Sequence, residues 1–333
     1  VVAYTQHDID VWANGAARAL AAAGCTRSDY VHISYGYGLF TGGLGLHYGA
    51  EKLGAAAIPV SSGNTKRQVQ ILQDFGSNFL CCTPSYAAYI GETCREMGVD
   101  TTKIPLRAGL FGAEAWSEGM RENIEKLLNI DAYDIYGLSE IAGPGVAYEC
   151  REKQGLHVCE DYFYPEIIDP DTGKVLPDGE YGELVFTCIG KEALPLIRYR
   201  TRDISALVRE KCACGRTVVR LKKLKGRTDD MLIIRGVNVF PSQVEYVLTE
   251  MGLEPNYLIV VDRVGALDTM EVQVEMTPQM FSDSVKDIES YERRLAAAMQ
   301  STLNIAANVK LVAPKSLSRS EGKAQRVIDR RKI

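Results

Sequence analysis

The sequence predicts an α/β fold: a large core of helix-and-strand layers carrying a β-rich subdomain, then a small, mobile α+β C-terminal domain. Three observations predict it. The first third alternates helical and apolar strand-like segments, the pattern of parallel sheets with helices on their faces. Residues 130–225 switch to short strands separated by turn chemistry. The remaining hundred or so residues, about enough to bury a small core, carry their own strands and helices.

The elements follow in order. Asp8 to Ala23 is an Ala-rich helical stretch ended by Gly24, and Asp29 to Ser34 is a short strand. Leu44 to Leu53 reads as helix and Ala55 to Val60 as a buried strand. Arg67 to Phe75 is a helix and Phe79 to Thr83 a strand. In the middle segment, Asp169-Pro170-Asp171-Thr172-Gly173 and Pro177-Asp178-Gly179 are turns, while Val185 to Thr187 and Arg198-Tyr199 are strands. Beyond Gly226 come strand Met231 to Ile234, helix Pro241 to Met251, strands Tyr257 to Asp262 and Met270 to Met276, a charged helix Asp283 to Leu303 and strand Asn308 to Val312. The expected domains are 1–226, with the β-rich part at about 145–225, and 227–333.

Composition narrows the function classes. The chain has 333 residues, 46% hydrophobic and 24% charged, with a formal net charge of −5. Such usage is that of a globular protein of roughly two domains, and it leaves no polybasic case for nucleic acid. The longest uncharged stretch, Tyr30 to Ala50, holds six glycines with His32, Ser34 and His47, too polar for a membrane span. Nine scattered cysteines with no secretory signal read as thiols of the cytoplasm. The chain starts Val1-Val2-Ala3 without a Met, as expected of a segment beginning inside a longer protein.

Several short segments suggest chemistry. Ser61-Ser62-Gly63-Asn64-Thr65-Lys66 lacks Walker spacing and reads as a strand-to-helix turn. Tyr136-Gly137-Leu138-Ser139-Glu140 follows a strand; its hydroxyl and carboxylate can reach a nucleotide phosphate and its Mg²⁺ together. In Tyr199-Arg200-Thr201-Arg202-Asp203, the Asp203 carboxylate can accept both ribose hydroxyls; a solvated ion-pair cluster is the competing reading. Gly226-Arg227 through Asp229-Asp230, Gly236-Val237-Asn238 and Pro241 form an ordered loop at a domain boundary, which suggests a hinge. Ser318 to Lys323 ends in one lysine on a glycine-flexed loop; residues 318–333 hold six basic residues against two acids, which alone reads as a solvated tail. Cys150, His157, Cys212 and Cys214 offer three thiolates and one imidazole, a structural Zn²⁺ set, with Cys159 as an alternative ligand. Reduced cysteines beside a surface hairpin are the competing reading.

Taken together, these segments resemble the acyl-adenylate-forming superfamily of acyl-CoA synthetases, firefly luciferase and nonribosomal peptide adenylation domains. The similarity is closest to its phenylacetate–CoA ligases. The carrying residues are Tyr35 to Gly43, Asp134 to Glu140, Glu160-Asp161-x-Phe163-x-Pro165-Glu166, Arg198 to Asp203, Asp229 to Ser242 and Arg319 to Ala324, in family order along nearly the whole chain. The family's phosphate loop, of the type S-S-G-T-T-G-K-P, is expected before Val1.

The resemblance implies ATP with Mg²⁺ and coenzyme A as co-substrates, with an arylacetic acid, phenylacetate favoured, becoming an acyl-adenylate and then a thioester. It implies Glu140 as the Mg²⁺ ligand and Ser139 on a phosphate oxygen. Gly112, Ala113, Glu114, Asp134, Ile135, Tyr136 and Gly137 would wall the nucleotide, with Asp203 on the ribose and Arg227 beside ribose and phosphate. Tyr35, Phe40, Gly112, Ala113 and Ile135 would line the acyl pocket; alternatively, Tyr35 to Gly49 merely packs a helix on a sheet. Lys323 would bridge the acyl carboxylate and α-phosphate, Asp229 would be the hinge, and Arg235, Gly236, Val237 and Asn238 would meet coenzyme A. A homodimer is compatible with the resemblance. Two alternatives stand beside this reading: transfer to an amine or carrier-protein thiol, and a non-catalytic zinc-containing binding module.

Overall fold

The structure is a computed structural model that describes residues 1–331 other than 39, 229, 236, 265–266, 282–284 and 321–323. It divides into two compact units: the first holds Val1–Glu114 and Ile124–Lys225, and the second holds Ala115–Asn123, Gly226–Ser320 and the segment from Ala324.

The first unit opens with α1 (Gln6–Ala22), whose start is a capping box: Asp8 N donates to Thr5 Oγ1 while Thr5 N donates to Asp8 Oδ2. Its apolar face buries Val11, Trp12, Ala16, Ala19 and Leu20. Then come β1 (Tyr30–Ile33), α2 (Thr41–Leu53), β2 (Ala56–Pro59), α3 (Thr65–Asp74), β3 (Phe79–Cys82), α4 (Pro84–Glu96), β4 (Ala108–Gly112), α5 (Glu118–Leu128, whose residues up to Asn123 belong to the second unit) and β5 (Asp131–Leu138). Strands β1 to β5 form a parallel array in the order β2-β1-β3-β4-β5. Its inner strands β3 and β4 are buried at every position, as a parallel sheet covered on both faces requires. Strand β2 is half-exposed, contrary to the buried strand expected at Ala55 to Val60, because it lies at the sheet edge.

Past β5 the same sheet turns antiparallel. It adds β6 (Gly143–Tyr148), β7 (Leu156–Val158) and, from far along the chain, β11 (Leu207–Val208) and β12 (Arg220–Leu221), giving nine strands in the order β11-β12-β7-β6-β5-β4-β3-β1-β2. Between them in sequence, β8 (Phe163–Ile168), β9 (Gly182–Cys188) and β10 (Tyr199–Ser205) pair antiparallel in a second sheet. The stretch 145–225 is therefore shared between two sheets.

The second unit contains β13 (Gly226–Arg227), the β14 (Leu232–Ile234) and β15 (Val237–Val239) hairpin, and α6 (Pro241–Glu250) with Pro241 at its first position. Strands β16 (Tyr257–Val264), β17 (Leu267–Glu275), β18 (Asn308–Val312) and β19 (Val327–Asp329) form a sheet in the order β18-β17-β16-β19, accompanied by α7 (Pro278–Phe281) and α8 (Val285–Leu303). Val244, Leu248, Ile259, Val272, Leu295 and Met299 close its own core. Sequence periodicity missed β19, which lies in the stretch read as a basic tail.

Candidate active site

The residues expected to hold the adenylate lie where the parallel array meets the antiparallel strands. Strand β5 carries Asp134, Ile135, Tyr136 and Gly137 and runs into the turn Ser139–Ala142 before β6. Gly137 is required there, since a Cβ would stand 1.6 Å from the Gly143 carbonyl oxygen. Gly112, at the end of β4 opposite Ile135, is equally confined: a Cβ would lie 2.1 Å from the Ile135 carbonyl oxygen.

The Tyr136 hydroxyl donates to Asp203 Oδ2 at 2.6 Å, joining the β5 segment to the ribose candidate on β10. Asp203 is buried beside a bulge: the β9–β10 register shifts between Arg200 and Ile204, and Arg202 takes φ 69°. Arg200 donates to the fully buried Glu183, so one arginine of this motif is a structural ion pair. The Asp203 amide donates to Thr201 Oγ1. These contacts fix a buried carboxylate before any ligand arrives.

Ser139 and Glu140 are fixed through their backbones. The Tyr4 hydroxyl donates to the Ser139 carbonyl, Lys191 Nζ donates to the Glu140 carbonyl at 2.9 Å, and Thr41 Oγ1 lies 3.0 Å from Ser139 Oγ. Lys191 also stacks over the Tyr4 ring, 4.4 Å from its centre. Burial pushes Tyr4 up to about 12, assisted by the Glu140 and Asp8 charges, and burial holds Lys191 below the usual lysine range. Among the described residues the Glu140 carboxylate accepts no hydrogen bond, so its oxygens suit a Mg²⁺ ion that brings phosphate oxygens as its other ligands. Tyr4, Lys191 and the Glu149 described next escaped sequence reasoning; a lysine between two turns and a tyrosine ahead of a helix leave no pattern.

The proposed nucleotide and acyl walls sit nearby. The Gly112 amide donates to the Tyr35 hydroxyl at 3.0 Å, and Tyr35 and Phe40 rings are 6.1 Å apart. Tyr35 and Ile135 are buried and Phe40 is 43% exposed. Ala113 has φ 71°, and Glu114 accepts from the Ser85 amide at the start of α4. Asp134 is clamped by Glu149, which accepts from its amide and donates to its carbonyl.

In the second unit, Arg227 lies 3.8 Å from Asp230, and the Arg235 guanidinium donates to the Ala306 carbonyl. Val237 and Asn238 pair with Ile234 and Ile233 in the hairpin. Asp229, Gly236 and Lys323 lie outside the described residues.

A separate cluster occupies the antiparallel edge. The Cys150, His157, Cys212 and Cys214 ligand atoms all fall within 4.8 Å of one another. Cys159 instead donates to the Gly145 carbonyl. Burial, with Arg216 and Arg220 nearby, lowers His157 to about 4, and burial raises Cys150 to about 12. Burial opposes ionisation of Cys214, but hydrogen bonds from Arg216, Cys212 and Cys150 outweigh it and bring the thiol to about 7.

Residues 16–189 match the AMP-binding enzyme family and residues 236–331 match the AMP-binding enzyme C-terminal domain. The chain belongs to the AMP-binding, acyl-adenylate-forming enzyme family. It is 49% identical to the phenylacetate-coenzyme A ligase of Aromatoleum evansii over 99% of this chain and 76% of that protein. It is 50% identical to the phenylacetate-coenzyme A ligase of Escherichia coli (strain K12) over 100% and 76%. A crystal structure of 2-hydroxyisobutyryl-CoA ligase, in the postadenylation state with an acyl-AMP, matches with a TM-score of 0.93 at 30% identity, covering 99% of this chain and 71% of that one.

Proposed function

We propose that this chain is an AMP-forming ligase that joins phenylacetate to coenzyme A. The activity class, ATP-dependent acyl-adenylate formation followed by transfer to coenzyme A, is that of an enzyme family to which half-identical relatives assign it. The choice of phenylacetate rests on those relatives and on the small Gly112–Ala113 step beside aromatic Tyr35 and Phe40, a shape that suits a flat ring. The observation that carries the reading is the Tyr136–Asp203 hydrogen bond beside the Ser139–Glu140 turn: the ribose candidate on β10 is tied to the strand that leads into the phosphate-side candidates.

In the first step a carboxylate oxygen attacks the α-phosphorus of ATP, and the bond to the pyrophosphate oxygen breaks. In the second, the coenzyme A thiolate attacks the acyl carbon, AMP leaves and the thiol proton goes to solvent. Such chemistry needs positioning and charge neutralisation more than a protein nucleophile. Asp203 binds the ribose hydroxyls, Ser139 meets a phosphate oxygen, and Glu140 would hold the Mg²⁺ that neutralises phosphate charge. Lys323 serves the first transition state, and Asp229 with Arg235 to Asn238 serves the exchange to the thiol step. Loss of such a cation costs about 3–4 kcal/mol, so Lys323→Ala slows adenylation ~10²–10³-fold while sparing thioester formation from supplied adenylate. Among the described residues no helix is long and apolar enough to cross a membrane. Nine unpaired cysteines support a cytoplasmic setting.

The test is carboxylate-dependent ATP–pyrophosphate exchange over a panel of phenylacetate, benzoate, 2-hydroxyisobutyrate and acetate. Phenylacetate giving the highest kcat/KM supports the reading, and preference for an aliphatic acid defeats it.

A further inference from the structure

We propose that Cys150, His157, Cys212 and Cys214 form a closed, tetrahedral Zn²⁺ site that fastens the antiparallel edge of the nine-stranded sheet. The distances carry the argument. With Zn–S near 2.3 Å and Zn–N near 2.0 Å, a tetrahedral ion sets sulfur–sulfur edges at about 3.8 Å and sulfur–nitrogen edges at about 3.5 Å. The structure has Cys150 Sγ to Cys212 Sγ at 3.8 Å, His157 Nε2 to Cys150 Sγ at 3.4 Å and His157 Nε2 to Cys214 Sγ at 3.6 Å.

Other uses of these groups fit less well. A disulfide needs sulfurs about 2.05 Å apart, well inside the 3.8 Å separation of Cys150 and Cys212. A neutral imidazole Nε2 carries at most one hydrogen, yet this one faces two sulfurs almost equally. Three thiolates and Zn²⁺ leave one negative charge, and Arg216 Nη1 stands 3.3 Å from Cys214 Sγ to meet it. Sulfur and imidazole donors in tetrahedral array select zinc over harder cations, and four protein ligands leave no open position, so the role is structural.

The ligands come from three places the ladder holds only weakly. Cys150 follows β6, His157 sits on three-residue β7 between Tyr148 and Arg220, and Cys212 and Cys214 lie in the turn joining two-residue β11 and β12. In that turn the Gly215 amide donates to the Cys212 carbonyl, curling both sulfurs to one side.

Protein purified without a polyhistidine tag or chelator is expected to hold about one zinc per chain after exhaustive dialysis, as a closed site would. Titrating the wild-type thiols with a mercurial should release that zinc as three thiols react. Cobalt-exchanged protein should show thiolate-to-cobalt absorption and tetrahedral d–d bands. Cys212→Ser and Cys214→Ser should each lose the metal, while Cys159→Ser keeps it. Less than about a tenth of an equivalent in the wild-type protein, retention of zinc by both variants, or a Cys150–Cys212 disulfide in peptide maps overturns the proposal.

Discussion

The parallel and antiparallel halves of the large sheet solve the same problem by different means. In the parallel half, the four- and five-residue apolar strands β3 and β4 are buried on both faces and hydrophobic packing holds them. In the antiparallel half, β7, β11 and β12 are three, two and two residues long, and such ladders are too short to hold alone. There Leu156, Val158 and Leu221 still pack into the core, but polar contacts are added: Arg220 donates to the Gln154 and Glu210 carbonyls, and three sulfurs surround one imidazole. The residues proposed to hold the adenylate stand at the seam, on β5, the turn after it and β10. With the proposed roles, chemistry and fastening are separable: damage at the seam should stop catalysis without unfolding, and damage at the edge should loosen the fold first.

The sharpest way to break that separation is Asp203→Ala. Two charge-assisted hydrogen bonds to ribose are worth about 1.5–3 kcal/mol each, so KM for ATP should rise about 10²–10⁴-fold while thermal unfolding moves little. A large fall in Tm would mean that Asp203 holds the fold instead. Next is Cys212→Ser. Loss of a structural ion should lower Tm by roughly 5 °C or more, with exchange activity at 25 °C kept within about twofold. Unchanged Tm would remove the fastening role. Tyr136→Phe is gentler: one hydrogen bond to a buried carboxylate is lost, about 1–2 kcal/mol, and KM for ATP should rise about 5–30-fold.

The smallest effect near neutrality is in pH. Buried His32, with Gln68 against its ring, is held down to about 4 by desolvation, whereas the unfolded chain takes up that proton near 6.5. The unfolded state binds more protons between those values, so stability should fall as pH drops from about 6.5 toward 4. Denaturant titrations across that range check it; a flat profile contradicts the burial.

Local signals made most elements legible. Alternation marks β1 and β3 with α2 and α3 between them, and Pro241 marks the start of α6, whereas α4, β4 and α5 went unread. The motif around Tyr136 and the one around Asp203 are 67 residues apart in sequence and in hydrogen-bond contact in the fold. What stayed hidden depends on long-range pairing. Leu156 and His157 meet Leu221 and Arg220 across the chain, so nothing local marks 145–225 as shared between two sheets. Edge position exposes β2 despite its apolar residues, and parallel pairing with β16 turns Val327–Asp329 into a strand inside a basic run. Lys191 acts through a backbone carbonyl of the Ser139–Glu140 turn, a contact that no residue spacing encodes.

The most direct test is a product balance: phenylacetate, ATP·Mg²⁺ and coenzyme A incubated with the purified protein, the nucleotides and thioester then separated and quantified. The account predicts AMP, pyrophosphate and phenylacetyl-CoA in equal amounts, all dependent on the acid. ADP with inorganic phosphate, or AMP without any thioester, would contradict it.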